Sequence, residues 1–263
     1  IVEGLPHLVP NEDEAVSKAL ERAFRKRGID FKLGVRFSGV EQHATGVVVS
    51  LEDGTRLEAD LMLVAVGRGP NTAGLGYEEQ GVAMDRGYVL TNERLQTNLS
   101  NVYAAGDIVP GLQLAHRGFA QGIFIAEQIA GVNPAIIDET GIPKVTYCEP
   151  EVASVGLSEA KAKEVYGDGN VSTYEYNLGG NGKSQILGTA GFIKLVRKNN
   201  GPVVGVHMIG SRVGEQIGEG QLIVNWEAYP EDVANLVHAH PTMNEAIGEA
   251  HLALAGKPLH AHA

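Results

Sequence analysis

A single cysteine, Cys148, is the tightest restriction in this chain. One thiol cannot close an intrachain disulfide, form a Cys-x-x-Cys redox pair or supply a four-cysteine metal site. In its strand-like surroundings it reads as a buried apolar filler rather than a nucleophile. Long apolar runs are also missing. No window approaches the roughly eighteen uninterrupted apolar residues of a membrane span, and the N-terminus lacks the basic, apolar and small-residue succession of a signal peptide. No membrane partner is expected, and the default compartment is the cytoplasm. Positive charge is scarce: 21 Lys and Arg against 32 Asp and Glu give a formal net charge of -11, which repels phosphate backbones and disfavours nucleic acid. Neither close pair of histidines, His238 with His240 or His260 with His262, has the His-Glu-x-x-His spacing of a zinc helix, so no metal is expected. His260 and His262 read as a solvated tail. A Gly-x-Gly-x-x-Gly turn is absent as well.

What is present is an orderly succession of strand and helix signals. The chain opens on Ile1-Val2-Glu3-Gly4, an apolar pair closed by an acid and a glycine, which reads as the end of a parallel strand. A helix is expected from about Asn11 to Arg27, with Asn11 as N-cap, Glu14 three residues on, and Val16, Leu20, Ala23 and Phe24 on one face. Gly46 to Leu51 and Thr55 to Asp60 form a hairpin through Asp53-Gly54, a dipeptide that tolerates positive φ. Leu61 to Val66 is continuously apolar, as in a strand buried on both faces. Val102 to Asp107 reads as another short strand, followed by a helix from Leu114 to Ala130. Near Pro143 the character changes. Strands are expected at Ala153 to Gly156, Val171 to Tyr176, Gly191 to Arg197 and Val203 to Met208, and helices near Ser158 to Tyr166, Val213 to Ala228 and Thr242 to Leu254. The first half therefore reads as α/β with a parallel sheet, the second as α+β with an antiparallel sheet.

Four places carry chemistry. Glu3 ends a strand where dinucleotide folds put a carboxylate on the adenosine ribose, which favours NAD over NADP; a strand-terminal Glu can equally be solvated. Gly67, in Val66-Gly67-Arg68-Gly69-Pro70-Asn71, allows the backbone close to a cofactor, or simply ends a strand. Asp107 precedes a helix starting near Leu114-Ala115-His116, where a carboxylate can accept from ribityl hydroxyls and free N–H groups stabilise an electron-rich ligand; the plainer alternative is helix capping. In His238-Ala239-His240-Pro241-Thr242-Met243-Asn244-Glu245, Pro241 keeps His240 out of helical geometry and pre-sets the next helix, while Thr242 and Glu245 match a capping box. Glu245 can curl back to orient one imidazole nitrogen and leave the other for proton transfer, which makes His240 and Glu245 a candidate catalytic acid–base pair. A capped helix after an incidental His is the alternative.

In this order, and with Tyr147 and Pro150-Glu151-Val152-Ala153-Ser154-Val155-Gly156, these segments resemble the pyridine nucleotide-disulfide oxidoreductases over nearly the whole chain. The resemblance implies an α/β remnant of nucleotide-binding domains followed by an α+β dimerisation domain: residues 1–72 from the NAD-binding domain, 73–142 from the FAD-binding domain and 143–263 for the interface. It implies FAD and NAD as cofactors, and oxidation of dihydrolipoyl groups carried by an acyltransferase of 2-oxo acid dehydrogenase complexes. His240 would take a proton from the dithiol, and Glu245 would hold its tautomer. It further implies a homodimer in which this His serves the disulfide of the other subunit. The family's flavin and nicotinamide Gly-rich turns and its redox Cys pair lie N-terminal to the segments seen here, so the chain reads as a C-terminal portion. A soluble transhydrogenase, a disulfide reductase of different substrate, or an inactive dimerisation and cofactor-lining module are the other readings.

Overall fold

The opening Val-Glu pair forms the first strand of a βαβ unit. In the computed structural model, which describes residues 1–261, β1 (Val2–Glu3) leads through α1 (Glu14–Lys26) to β2 (Lys32–Leu33), and the strands pair in parallel with Val2 opposite Lys32. α1 buries Val16 and Leu20, which recur at helical spacing. Its N-cap is Asp13 and not Asn11: the Asp13 carboxylate accepts from the Ala15 N–H at 3.0 Å. Asn11 instead sits in a turn that the Glu12 N–H closes on the Val9 carbonyl at 3.0 Å. A three-stranded antiparallel meander follows, β3 (Phe37–His43), β4 (Gly46–Leu51) and β5 (Arg56–Ala59). β4 and β5 are the expected hairpin; β3 has no apolar alternation from which to predict it. The chain divides into two compact units, residues 1–62 with the chain from Thr140 onward, and Leu63–Glu139.

Downstream of β5 the expected strands are largely missing. The run Leu61 to Val66 forms no strand, and Leu63 and Val66 are each 90% exposed. A strand apolar on both faces needs neighbours at its edges and a layer on each side; among the described residues none pairs with it. Val102 to Asp107 reduces to a single bridge between Gln96 and Tyr103, then a short 3-10 turn at Gly106–Ile108. The second unit consists of a hairpin, β6 (Met84–Asp85) with β7 (Tyr88–Val89), a small core of Val89, Ala104 and Val109, and α2 (Ala115–Ile129). α2 matches expectation to within a residue at each end.

From Lys144 the first unit resumes with β8 (Lys144–Thr146), β9 (Glu151–Gly156), α3 (Glu159–Tyr166), β10 (Val171–Asn177), α4 (Gly182–Leu187), β11 (Phe192–Lys198), β12 (Val203–Gly210), α5 (Val213–Asn225), α6 (Pro230–Val233) and α7 (Glu245–Leu254). The strands form the expected antiparallel sheet, in the order β10-β11-β12-β9-β8. β12 is buried along its whole length because both faces of the sheet are covered. On one face Leu195, Val206 and Met208 pack with Ile217 of α5 and Ile247 of α7. On the other, Val152, Phe192 and Ile209 meet Val16 and Leu20 of α1, while Val196 and Val204 meet Ala162 of α3. Each large aliphatic side chain buried in this way contributes about 1.5–3 kcal/mol.

Between the α1 and α3 patches a polar row crosses four strands in register: Lys144, Ser154, His207 and Lys194. The Lys194 ammonium donates to Asp13 at 2.8 Å and to Glu159 at 2.7 Å. Asp13 also accepts from the Glu159 N–H at 3.0 Å, so one carboxylate serves the N-termini of both α1 and α3. Complete burial pushes His207 below its ordinary value, and its Nε2–H donates to the Leu157 carbonyl at 2.9 Å. Cys148 packs beside the α1 cluster, its thiol donating to the Pro150 carbonyl at 3.1 Å, and burial pushes that thiol up. Among the described residues no helix is long and apolar enough to cross a membrane, and no group of three or more His, Cys, Asp or Glu can hold a metal ion.

Candidate active site

The corner between α6 and α7 differs from the expected one in how the helix starts. The peptide bond before Pro241 is cis, and α7 begins at Glu245 rather than at Thr242. The reason is local: the Thr242 hydroxyl donates backwards to the Ala239 carbonyl at 2.6 Å instead of capping a helix. Half of the capping box survives, because Glu245 Oε2 accepts from the Thr242 N–H at 2.7 Å. Its other oxygen meets His240 Nδ1 at 2.8 Å. Since a carboxylate only accepts, the Nδ1 proton is fixed and Nε2 is left to exchange one. The imidazole is 76% exposed. Partial burial pushes the Glu245 carboxyl up, but the Thr242 amide and His240 outweigh it and hold the group below the usual carboxylate range.

A second imidazole–carboxylate pair lies beneath the first. His238 Nε2 is 2.7 Å from Glu219 Oε1 on α5, and this bond raises His238 above its ordinary value against the opposing effect of burial. The other Glu219 oxygen accepts from Asn244 Nδ2 at 2.8 Å. Asn181, ahead of α4, donates to the Thr242 carbonyl at 3.1 Å. Gly248 makes the contact with α7 possible: a Cβ there would stand 2.6 Å from His238 Nδ1. Gly248→Ala is therefore expected to displace His238 and cost about 1–3 kcal/mol, read as a fall in Tm; an unaltered Tm would show that His238 yields freely. One turn further, His251 is fully buried, which pushes it down to about 4, and its neutral ring donates from Nδ1 to the Ile247 carbonyl at 2.7 Å. His260 is exposed as expected of a solvated tail, yet it is tied down, since its N–H and Nδ1 reach the buried Glu249 carboxylate at 2.9 and 3.0 Å. His262 lies outside the described residues.

Glu3 sits at the end of β1, where its Oε1 accepts from the Leu5 N–H at 2.9 Å. Its Oε2 has no hydrogen-bond partner among the described residues. In the second unit Gly106, with φ +79°, donates its N–H to the buried Gln121 of α2 at 2.7 Å, and Gly118 lets the helix approach, since a Cβ there would be 3.4 Å from Gly106 Cα. This seats the exposed Asp107 ahead of α2. Leu114, the N-cap of α2, is extended and makes no side-chain cap, and Ala115 and His116 form the first turn of the helix. Gly67 is exposed with φ +106°, and no hydrogen bond joins it to Asp107 among the described residues. Arg117 is occupied, its guanidinium donating to Glu139 at 2.8 Å and to the Pro110 carbonyl at 2.7 Å.

Residues 1–122 match the family described as pyridine nucleotide-disulphide oxidoreductase, and residues 142–251 match the dimerisation domain of that family. The chain belongs to the pyridine nucleotide-disulphide oxidoreductases. It is 38% identical to the mitochondrial dihydrolipoyl dehydrogenase of Pisum sativum, over 99% of this chain and 53% of that protein. It is likewise 38% identical to a dihydrolipoyl dehydrogenase of Bacillus subtilis, over 99% of this chain and 56% of that one. Among solved structures, LpdA of Mycobacterium tuberculosis superposes with a TM-score of 0.88 at 27% identity, covering 96% of this chain and 55% of its own. The chain thus spans about half the length of the relatives it matches. Glu219, Asn244, Asn181 and Gly248 are missing from the sequence-based site because each acts across elements, and no local spacing marks a carboxylate nineteen residues before its imidazole.

Proposed function

We propose that this chain supplies the acid–base, cofactor-lining and dimerisation portion of a dihydrolipoyl dehydrogenase that serves lipoyl-bearing acyltransferases of 2-oxo acid dehydrogenase complexes in the cytoplasm. The observation that carries it is the His240–Glu245 pair: an exposed imidazole with Nδ1 clamped and Nε2 open. Nε2 takes a proton from the dihydrolipoyl dithiol, and the resulting thiolate is the nucleophile. It attacks one sulfur of a disulfide, a new S–S bond forms, and the other sulfur leaves as thiolate. Glu245 stabilises the imidazolium until the proton is passed on. The disulfide is supplied from outside this chain, in keeping with a homodimer in which the dimerisation domain carries His240 to the other subunit.

FAD, when bound, accepts the electron pair and NAD+ carries it away. Asp107 and the segment Leu114-Ala115-His116 at the start of α2 would line the flavin nucleotide, Gly67 would admit it to the backbone, and Glu3 would hold the adenosine ribose of NAD. The division proposed is 1–72 for NAD, 73–142 for FAD and 143–263 for the interface. Steady-state turnover of the whole enzyme with dihydrolipoamide and NAD+, beside glutathione disulfide with NADPH, tests the assignment, and faster reduction of glutathione disulfide would overturn it. Glu3→Gln in that enzyme is expected to narrow the NAD to NADP ratio of kcat/KM, because a carboxylate at the ribose repels a 2′-phosphate. An unchanged ratio would remove Glu3 from the ribose site.

A further inference from the structure

The corner that carries His240 is tied down at both ends by the same side chain. His238 opens the corner and Asn244 closes it, just before Glu245. Glu219 takes one with each oxygen, at 2.7 and 2.8 Å. Side chains on both sides of His240 are thus fastened to α5, which itself packs on β9 and β12. Gly248 locks the arrangement from α7, because His238 fills the space its Cβ would need. Asn181 pins the middle through the Thr242 carbonyl. His240 itself makes one side-chain hydrogen bond among the described residues, to Glu245, and is otherwise exposed. The position of its ring is therefore set by what holds the corner.

We propose that Glu219 is a positioning residue: its carboxylate clamps both ends of the 238–244 corner to α5 and thereby fixes where the His240 imidazole stands. The proposal rests on the acid–base reading of His240 and adds to it the part that aims the ring. A carboxylate suits the position because it offers two acceptors to two donors, His238 Nε2–H and the Asn244 amide. A glutamine in its place can accept from only one of them and turns an N–H towards the other. Changing Asn244 to Asp at the same time restores the match, since the oxygen of the introduced glutamine accepts from His238 while its amide donates to the new carboxylate.

The test uses the whole enzyme with dihydrolipoamide and NAD+, and hydrogen exchange read by mass spectrometry on peptides covering 238–248. Glu219→Ala is expected to lower kcat on the order of 10²-fold, and Glu219→Gln on the order of tenfold, with KM little altered, as for a misaimed reacting group. Exchange should quicken within 238–248 and stay unaltered in peptides of β11 and β12. Glu219→Gln combined with Asn244→Asp should recover most of the kcat lost in Glu219→Gln alone, a rescue that general destabilisation does not give. Wild-type exchange in Glu219→Ala overturns the clamp whatever His240 does. A double variant no faster than Glu219→Gln overturns it too. A fully active His240→Gln overturns the acid–base reading and with it the catalytic consequence of the clamp, while exchange still reports on the clamp separately.

Discussion

His240→Gln in the whole enzyme is expected to cut turnover with dihydrolipoamide by roughly 10²–10⁴-fold, the usual loss for a removed general acid–base group. Glutamine keeps much of the bulk and can still hydrogen-bond Glu245, so the corner should persist while the proton acceptor at Nε2 disappears. Flavin content and dimerisation should be unaffected, because the contacts of His240 are confined to Glu245 and the adjoining turn. Glu245→Gln should cost less. Its amide oxygen can still accept from Nδ1–H, and what is lost is the negative charge facing the imidazolium that forms during the reaction. Steady-state kinetics on both variants, with flavin absorbance recorded alongside, decide the matter. A near-normal rate for His240→Gln at full flavin content would mean that another group takes the dithiol proton.

Asp13→Ala is expected to be the most destabilising single change among the polar residues, at about 3–5 kcal/mol, because it removes one partner of a buried ion pair. The carboxylate is 2% exposed and serves three donors at once: the Ala15 N–H, the Glu159 N–H and Lys194 Nζ. Its removal uncaps α1, takes the acceptor from the Glu159 N–H at the start of α3, and leaves Lys194 with Glu159 as its sole acid partner. Burial pushes the Asp13 carboxyl up, but Lys194 and the Glu159 amide overcome this and hold it below its ordinary value. A depressed carboxylate stabilises the fold above its unfolded-state pKa, near 3.9 for Asp, and that stability drains away as pH falls through the lower folded-state value. Urea unfolding of the wild type and of Asp13→Ala should therefore differ widely at neutral pH and converge in acid. A difference that held constant down to pH 2 would remove the ion pair as its source. Combining Asp13→Leu with Lys194→Met should recover part of the loss, since the buried ammonium goes as well.

How much of this was legible in the sequence depended on how local each feature is. The antiparallel sheet and α2 could be read because apolar spacing, Gly131 after one helix and Asn199-Asn200-Gly201 between two strands act within a few residues. The tie between His240 and Glu245 could be read for the same reason, as the two lie five positions apart. Leu61 to Val66 misled because continuous apolar character reports what a segment could bury, not whether neighbouring strands are there to receive it. The N-cap went to Asp13 and not Asn11 because Lys194 and the Glu159 amide, 181 and 146 residues away, reward a carboxylate at 13. Glu219 went unnoticed for a related reason: its two partners sit 19 and 25 residues further on, in a turn that only the packed α5 and α7 bring to it.

The packing of α1 against the C-terminal sheet sets a schedule for folding during synthesis. α1 ends at Lys26, yet its apolar face is covered by Val152, Phe192 and Ile209. At about 5–20 residues per second, the ribosome takes on the order of ten seconds or more to deliver the last of these. Through that interval Val16 and Leu20 are without these three partners, and the whole of Leu63–Glu139 emerges between the two halves of the unit they belong to. Closing contacts of such long sequence separation is slow. The native covering of α1 by this sheet is therefore among the last contacts that synthesis makes available, completed only when β12 is made.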